Sequence, residues 1–152
     1  MRRVLLLIVV AGMALSAHAQ SDSAAFELAA AGRLDRLQTE LGREPGLATV
    51  RNAQGETLLM VASANGHWRV ASLLLLKNKA DPDAATRDGN TALHRAAAGG
   101  HSDAVSLLIA LGASTQVKNS AGRTPGEVAR AGGHEAVAHA LEMAYCAAPM
   151  VK

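Results

Sequence analysis

Apolar positions along the chain come in short bursts at helical spacing, each closed by glycine or a polar turn. Leu34, Leu37 and Leu41 step by three and four residues, the stripe of an amphipathic helix. Leu93, Ala96 and Ala97 mark another short helix, which Gly99-Gly100 stop at a C-terminal glycine position. Ahead of it, Asp88-Gly89 is a turn dipeptide in which glycine takes φ > 0 at no steric cost, and Thr91 predicts the N-cap. His101 then opens a second helical segment that ends at Gly112. The unit is turn, helix, tight corner, helix, in about 25 residues.

This unit recurs. Gly55, Gly89 and Gly122 are separated by 34 and 33 residues, and Thr57, Thr91 and Thr124 keep those intervals. So do the pairs Gly66-His67, Gly100-His101 and Gly133-His134. Three features in one register at a period near 33 indicate a repeat architecture. The repeated segments read GETLLMVASANGH (55–67), GNTALHRAAAGGH (89–101) and GRTPGEVARAGGH (122–134), with VASLLLL (70–76) and AVSLLIALGA (104–113) as second halves. This pattern resembles the ankyrin repeat. The resemblance implies an all-α solenoid of stacked helix-turn-helix units with short β-turn or hairpin tips.

About four repeats are expected, over 22–51, 52–85, 86–118 and 119–146, followed by a flexible tail at 147–152. The first lacks the turn glycine and has a looser exit, as suits the end repeat of a stack. The 34-residue interval of the second implies one extra residue near Lys77-Asn78-Lys79. Met60 stands where the family places histidine, so a local hydrogen bond to the turn is expected to be missing there. Gly126 and Arg130 occupy positions that the family fills with leucine and alanine, and Arg130 fits the polar outer face of a C-terminal cap.

The N-terminus follows different rules. Met1-Arg2-Arg3 precedes a dozen nearly unbroken apolar residues, and Ala17-His18-Ala19 is a small-residue cleavage signature. The run is shorter than the roughly 20 residues of a spanning helix. Residues 1–19 are therefore expected to be a cleaved secretory signal peptide, leaving a 20–146 repeat domain exported most simply to a bacterial periplasm, with no membrane attachment after cleavage. Loss of Arg2 and Arg3 turns 15 basic against 13 acidic residues into 13 against 13, which argues against a nucleic-acid or anionic-membrane role. Aromatics are scarce (Phe26, Trp68, Tyr145), so alanine and leucine must form the core.

Candidate chemistry is thin. His67, His101 and His134 sit at equivalent positions of successive repeats, where helices roughly 8–10 Å apart keep them from sharing one metal. They are expected to be polar corners that bond nearby backbone, and His94 to be structural as well. His139 reads as a solvated helix residue. There is no G-x-S-x-G elbow, H-E-x-x-H pair or phosphate loop, and DPDAATRDGN has Thr86 where a calcium loop needs glycine. No catalytic residue, metal site or cofactor is assigned. The single cysteine, Cys146, is either inert, the bond of a disulfide dimer, or a reactive thiol in an otherwise monomeric protein. Trp68 is either a ring laid over the neighbouring repeat or a contact anchor.

A solenoid offers a concave face and a row of tips to another protein. By resemblance to ankyrin proteins, the tip residues are Gln54, Glu56, Arg87, Asp88, Asn90, Lys118, Asn119 and Arg123. The helix face adds Asn65 and Arg95, with Trp68 at the corner. The function expected is a non-catalytic periplasmic protein-binding module, and the exported proteins it resembles are linked to catalase function and oxidative-stress protection. The alternatives are an immunity protein against a toxin delivered to the periplasm and, more remotely, an enzyme with a grafted site.

Overall fold

The computed structural model describes residues 20–147. The expected leader at 1–19 and the last five residues of the tail lie outside the described residues. Four helix pairs follow one another: α1 (residues 20–30) with α2 (Leu34–Arg43), α3 (Leu58–Ala64) with α4 (Trp68–Leu76), α5 (Ala92–Ala98) with α6 (Ser102–Ala110), and α7 (Pro125–Ala131) with α8 (Glu135–Ala147). Helix α8 thus takes in the first residue expected in the tail, within the usual play of a helix end. Among the described residues no strand forms, and the hairpin character of the tips reduces to one antiparallel bridge between Arg51 and Thr57. The all-α repeat solenoid expected from the sequence is what the chain adopts.

The helices make two rows. The first helices α3, α5 and α7 stack on one another, and the second helices α2, α4, α6 and α8 form the other row. Local sequence explains each start. Thr57 accepts the Met60 N–H, while Thr124 and Glu127 form a reciprocal capping box with Pro125 in the first turn. Leu58, Leu59, Leu74, Leu93, Leu108 and Leu141 are fully buried, and alanines such as Ala62, Ala71, Ala96 and Ala104 let the helix axes come close. Each buried leucine contributes about 2 kcal/mol, spread over interfaces that exist only because a neighbouring repeat is present.

The corners carry the tightest contact between repeats. Gly32, Gly66 and Gly100 all have φ near +70° (67°, 73° and 70°), which glycine reaches without strain. Against each lies the corner histidine of the next repeat. A Cβ on Gly32 would stand 2.7 Å from His67 Nδ1, one on Gly66 2.7 Å from His101 Nδ1, and one on Gly100 2.5 Å from His134 Nδ1. His67 Nε2 donates to the Ala30 carbonyl at 2.9 Å, and His101 Nε2 to the Ala64 carbonyl at 3.0 Å. Those carbonyls belong to the last turn of a first helix, where no intrahelical partner exists. Two of the three polar corners expected from the sequence, His67 and His101, therefore bond backbone, and the backbone is that of the preceding repeat.

The ends depart from the consensus in ways the structure accounts for. The looser exit expected of the first repeat is wound into a 3-10 turn, Pro45–Thr49, that buries Leu47 and Ala48. The extra residue of the second repeat shows as a longer closing bond: Ala80 N–H reaches back six residues to Leu74, whereas Ala113 N–H reaches back five to Leu108. Lys79 takes φ 52° there, beside Gly112 at 91° in the third repeat. In the last repeat Arg130 pairs with Glu142 and Glu135, forming the polar outer face of the cap. Gly126 is buried at the position of Leu59 and Leu93, with room for a methyl group 3.7 Å from Leu141 Cβ.

Two glycines should therefore respond in opposite directions. Gly126→Ala is expected to stabilise by about 0.5–1 kcal/mol, because the site is helical and open to a Cβ. Gly100→Ala, facing both positive φ and the His134 ring, is expected to cost about 2 kcal/mol or more. Urea unfolding midpoints of the two variants against the parent check both signs.

Candidate partner-binding surface

The tips are five-residue loops closed by one repeated bond. Asn52 N–H donates to the Glu56 carbonyl (3.0 Å), Thr86 to Asn90 (2.9 Å) and Asn119 to Arg123 (3.0 Å). The side chain at the loop's first position then accepts from inside it. Asn52 Oδ1 takes the Gln54 and Glu56 N–H groups, Thr86 Oγ1 takes Asn90 N–H, and Asn119 Oδ1 takes Ala121 and Arg123 N–H. These short polar side chains mimic a backbone turn, which is why Asn and Thr serve here. Neighbouring tips are tied together: Arg51 donates to the Gly55 and Ala85 carbonyls at 2.8 Å, and Ser120 N–H donates to the Asp88 carbonyl at 2.9 Å.

The eleven residues expected to meet a partner divide by what already holds them. Glu56 and Arg95 form an ion pair between the second and third repeats, with only 19% and 36% of their side chains exposed. Asn119 Nδ2 donates to Asn90 Oδ1 at 3.0 Å, joining the third and fourth tips. Gln54, Arg87, Asp88, Lys118 and Arg123 are exposed along the row of tips. Asn65 and Trp68 lie elsewhere. Asn65 ends α3, its side chain donating to the Val61 carbonyl, and Trp68 begins α4, so both sit at the corner end of the second repeat, away from its tip. Trp68 is 42% exposed with the Arg69 guanidinium 5.3 Å from its ring centroid.

Residues that the sequence left unassigned complete the surface. Val61 and Val128 are equivalent in register to Arg95, and all three are half-buried on their first helices. Ala64, Ala98 and Ala131 stand one turn further on. Asn52 and Thr86, which brace their own tips, could have been found from their chemistry at the loop's first position, whereas Arg51, one residue earlier, ties two tips. Asp83, by contrast, belongs to the acids of DPDAATRDGN, and its carboxylate accepts the Ser114 N–H at 2.8 Å.

His94 links cap and tip. Its Nδ1 accepts the Thr91 N–H at 3.2 Å, which leaves Nε2 protonated to donate to the Arg123 carbonyl at 3.0 Å. The ring is buried and neutral. Burial pushes its pKa below the ordinary histidine value, against the opposing pull of the Arg123 carbonyl. In the second repeat Met60 fills this slot, buried and with no such bond, while in the fourth Glu127 fills it as a capping carboxylate. Accepting the Thr124 N–H holds the Glu127 carboxyl below the usual carboxylate range. Among the described residues no three His, Cys, Asp or Glu side chains are grouped to hold a metal, and no helix is long and apolar enough to cross a membrane. Cys146 is exposed near the end of α8.

Stacked helix pairs with tied, polar tips along one edge define a helical-repeat interaction scaffold. The chain belongs to the ankyrin-repeat family: the family model for ankyrin repeats (3 copies) matches residues 17–119 and 59–146. It is 41% identical over 83 residues to mouse (Mus musculus) "Ankyrin repeat and SOCS box protein 16", covering 50% of this chain and 18% of that protein. It is 43% identical over 82 residues to "Probable E3 ubiquitin-protein ligase XBOS33" of Oryza sativa subsp. japonica, covering 54% of this chain and 16% of that one. The chain spans less than a fifth of the length of these curated relatives. It is a protein–protein interaction module of the ankyrin type.

Two substitutions probe the shared slot. Met60→His should add the bond to the Asn90 carbonyl that His94 makes to Arg123, stabilising by about 1 kcal/mol, read as a higher thermal midpoint. For His94 the folded pKa is depressed, so its stabilisation is complete above the unfolded value of about 6.5 and is lost as pH falls through the folded one. His94→Gln should therefore be less stable than the parent at pH 7.5, and the gap should narrow at pH 5. Urea midpoints at the two pH values measure it.

Proposed function

We propose that this module works after export, binding a partner protein in the periplasm in support of catalase or oxidative-stress protection. The basic, apolar and A-x-A segments of the N-terminus support export, and the resemblance to exported ankyrin proteins supports the stress role. One observation carries the binding assignment. Exposed polar side chains of mixed sign (Gln54, Arg87, Asp88, Lys118, Arg123) lie in line on tips that are themselves cross-braced by hydrogen bonds. Rigid tips present these groups without the ordering cost of a mobile loop.

Glu56, Arg95, Asn90 and Asn119 serve this surface by holding it, since their polar atoms are engaged between repeats. Charge-complementary contact then falls to the free tip side chains, and apolar contact to the half-buried Val61 and Val128. The SOCS-box and ligase descriptions of the relatives concern proteins of which the matched segment covers less than a fifth, and we carry neither to this chain.

Affinity capture from periplasm with the chain beginning at Gln20 tests the assignment. Capture of a catalase or another oxidative-stress protein is expected, and the double reversal Arg87→Glu/Arg123→Glu should weaken it at least about tenfold. Arg95 is left untouched because reversing it would break the pair with Glu56. Capture unchanged by the double reversal would reject this face, and capture of a secreted toxin would replace the stress role with immunity.

A further inference from the structure

The corner edge of the first two repeats has features that the tips do not use. Gly32, Arg33, Leu34, Asp35, Arg36 and Arg69 line one open depression of ≈ 530 Å³ where α2 and α4 begin side by side. Arg33, Arg36 and Arg69 are all exposed, and among the described residues none of the three takes part in an ion pair. The arginines that do have carboxylate partners, Arg43, Arg95 and Arg130, lie outside this depression. Trp68 stands at its margin, and its ring is already held by the Arg69 guanidinium.

Charge changes along this edge. In register, Asp35 and Arg69 are followed by Asp103, and Leu34 and Trp68 by Ser102 and Glu135. The arginines thus gather at one end of the row of corners, next to the chain's one tryptophan. Three guanidinium groups with one carboxylate among them leave the depression with a surplus of two positive charges. Such a lining attracts carboxylates bidentately, and an exposed tryptophan supplies an apolar anchor beside them. A nucleic-acid strand, charged at every nucleotide, fits less well, because Asp35 stands in the lining and the positive surplus is confined to three guanidinium groups.

We propose that this corner depression is a second docking surface, which takes an acidic peptide segment of a partner protein. Carboxylates of the segment pair with Arg33, Arg36 and Arg69, and an apolar residue of it packs on Trp68. The surface is separate from the tips, so it holds whether or not the tips bind a partner.

Trp68 is the only tryptophan and reports on its own site. Titration of the chain from Gln20 with the synthetic peptide EEEELEEEE at low salt should change Trp68 emission saturably, with half-saturation on the order of 10–100 μM. Added NaCl should weaken it, as expected for exposed charges. Arg33→Ala/Arg36→Ala/Arg69→Ala should weaken binding at least about tenfold with an unchanged circular dichroism spectrum, while Arg87→Glu/Arg123→Glu leaves it within about twofold. No saturable change, or equal affinity in the triple variant, would overturn the proposal while leaving the tip assignment standing. Tighter binding of a short oligothymidylate or of phosphatidylglycerol vesicles than of the peptide would also overturn it.

Discussion

One contact sets the register of the whole stack: the corner histidine of each repeat seated against a positive-φ glycine of the repeat before it. At Gly32–His67, Gly66–His101 and Gly100–His134 the ring fills space that any Cβ would claim. In the first two cases Nε2 also supplies the missing donor for a carbonyl at the end of a short helix. Sterics and hydrogen bonding therefore demand the same alignment. If one repeat slid by a single residue it would lose the bond and drive a ring into backbone. The apolar interfaces of alanine and leucine supply most of the favourable energy, but they are smooth and would tolerate such a slip far better.

The slot three residues into each first helix shows how unequal residues keep one architecture. His94 satisfies its own cap and reaches the next tip, Glu127 satisfies only its cap, and Met60 does neither. At the junction where Met60 leaves the bond unmade, Arg51 ties two tips and Glu56 pairs with Arg95. The coupling between the second and third repeats has moved from a buried neutral ring to half-exposed charges. That exchange makes this junction more sensitive to salt and less sensitive to mild acid than the next one.

The period, the corners, the caps and the spare residue near Lys79 were legible because they rest on local rules repeated at a fixed interval. Gly89, Thr91 and Gly100 announce a turn, a cap and a corner from their own chemistry. What could not be read was which exposed-type side chains are already spoken for. Glu56 meets Arg95 and Asn90 meets Asn119 only because repeats stack, and nothing in either residue's neighbours along the chain marks the partnership. The placement of Asn65 was hidden for a related reason. It follows a tip closely in sequence, yet α3 carries the chain from the tip to the corner, where Trp68 was expected, before it occurs. Membership of one repeat says little about membership of one surface.

That geometry bears on how the module meets other molecules. A seven-residue helix is about 10 Å long, so the tips and the corners form two edges that one flat contact would not readily cover. The tips are stiff, mixed in charge and shared among three repeats, which suits a folded partner of matching shape. The arginine-lined corner is confined to the first two repeats and flanked by one aromatic ring, which suits a short extended segment. Two edges of different chemistry, held in fixed relation by the same histidine ladder, give a thin helical stack a way to recognise two features of a partner at once. Because the ladder fixes their spacing, a change at one edge leaves the other in place, and the two contributions to affinity should be close to additive.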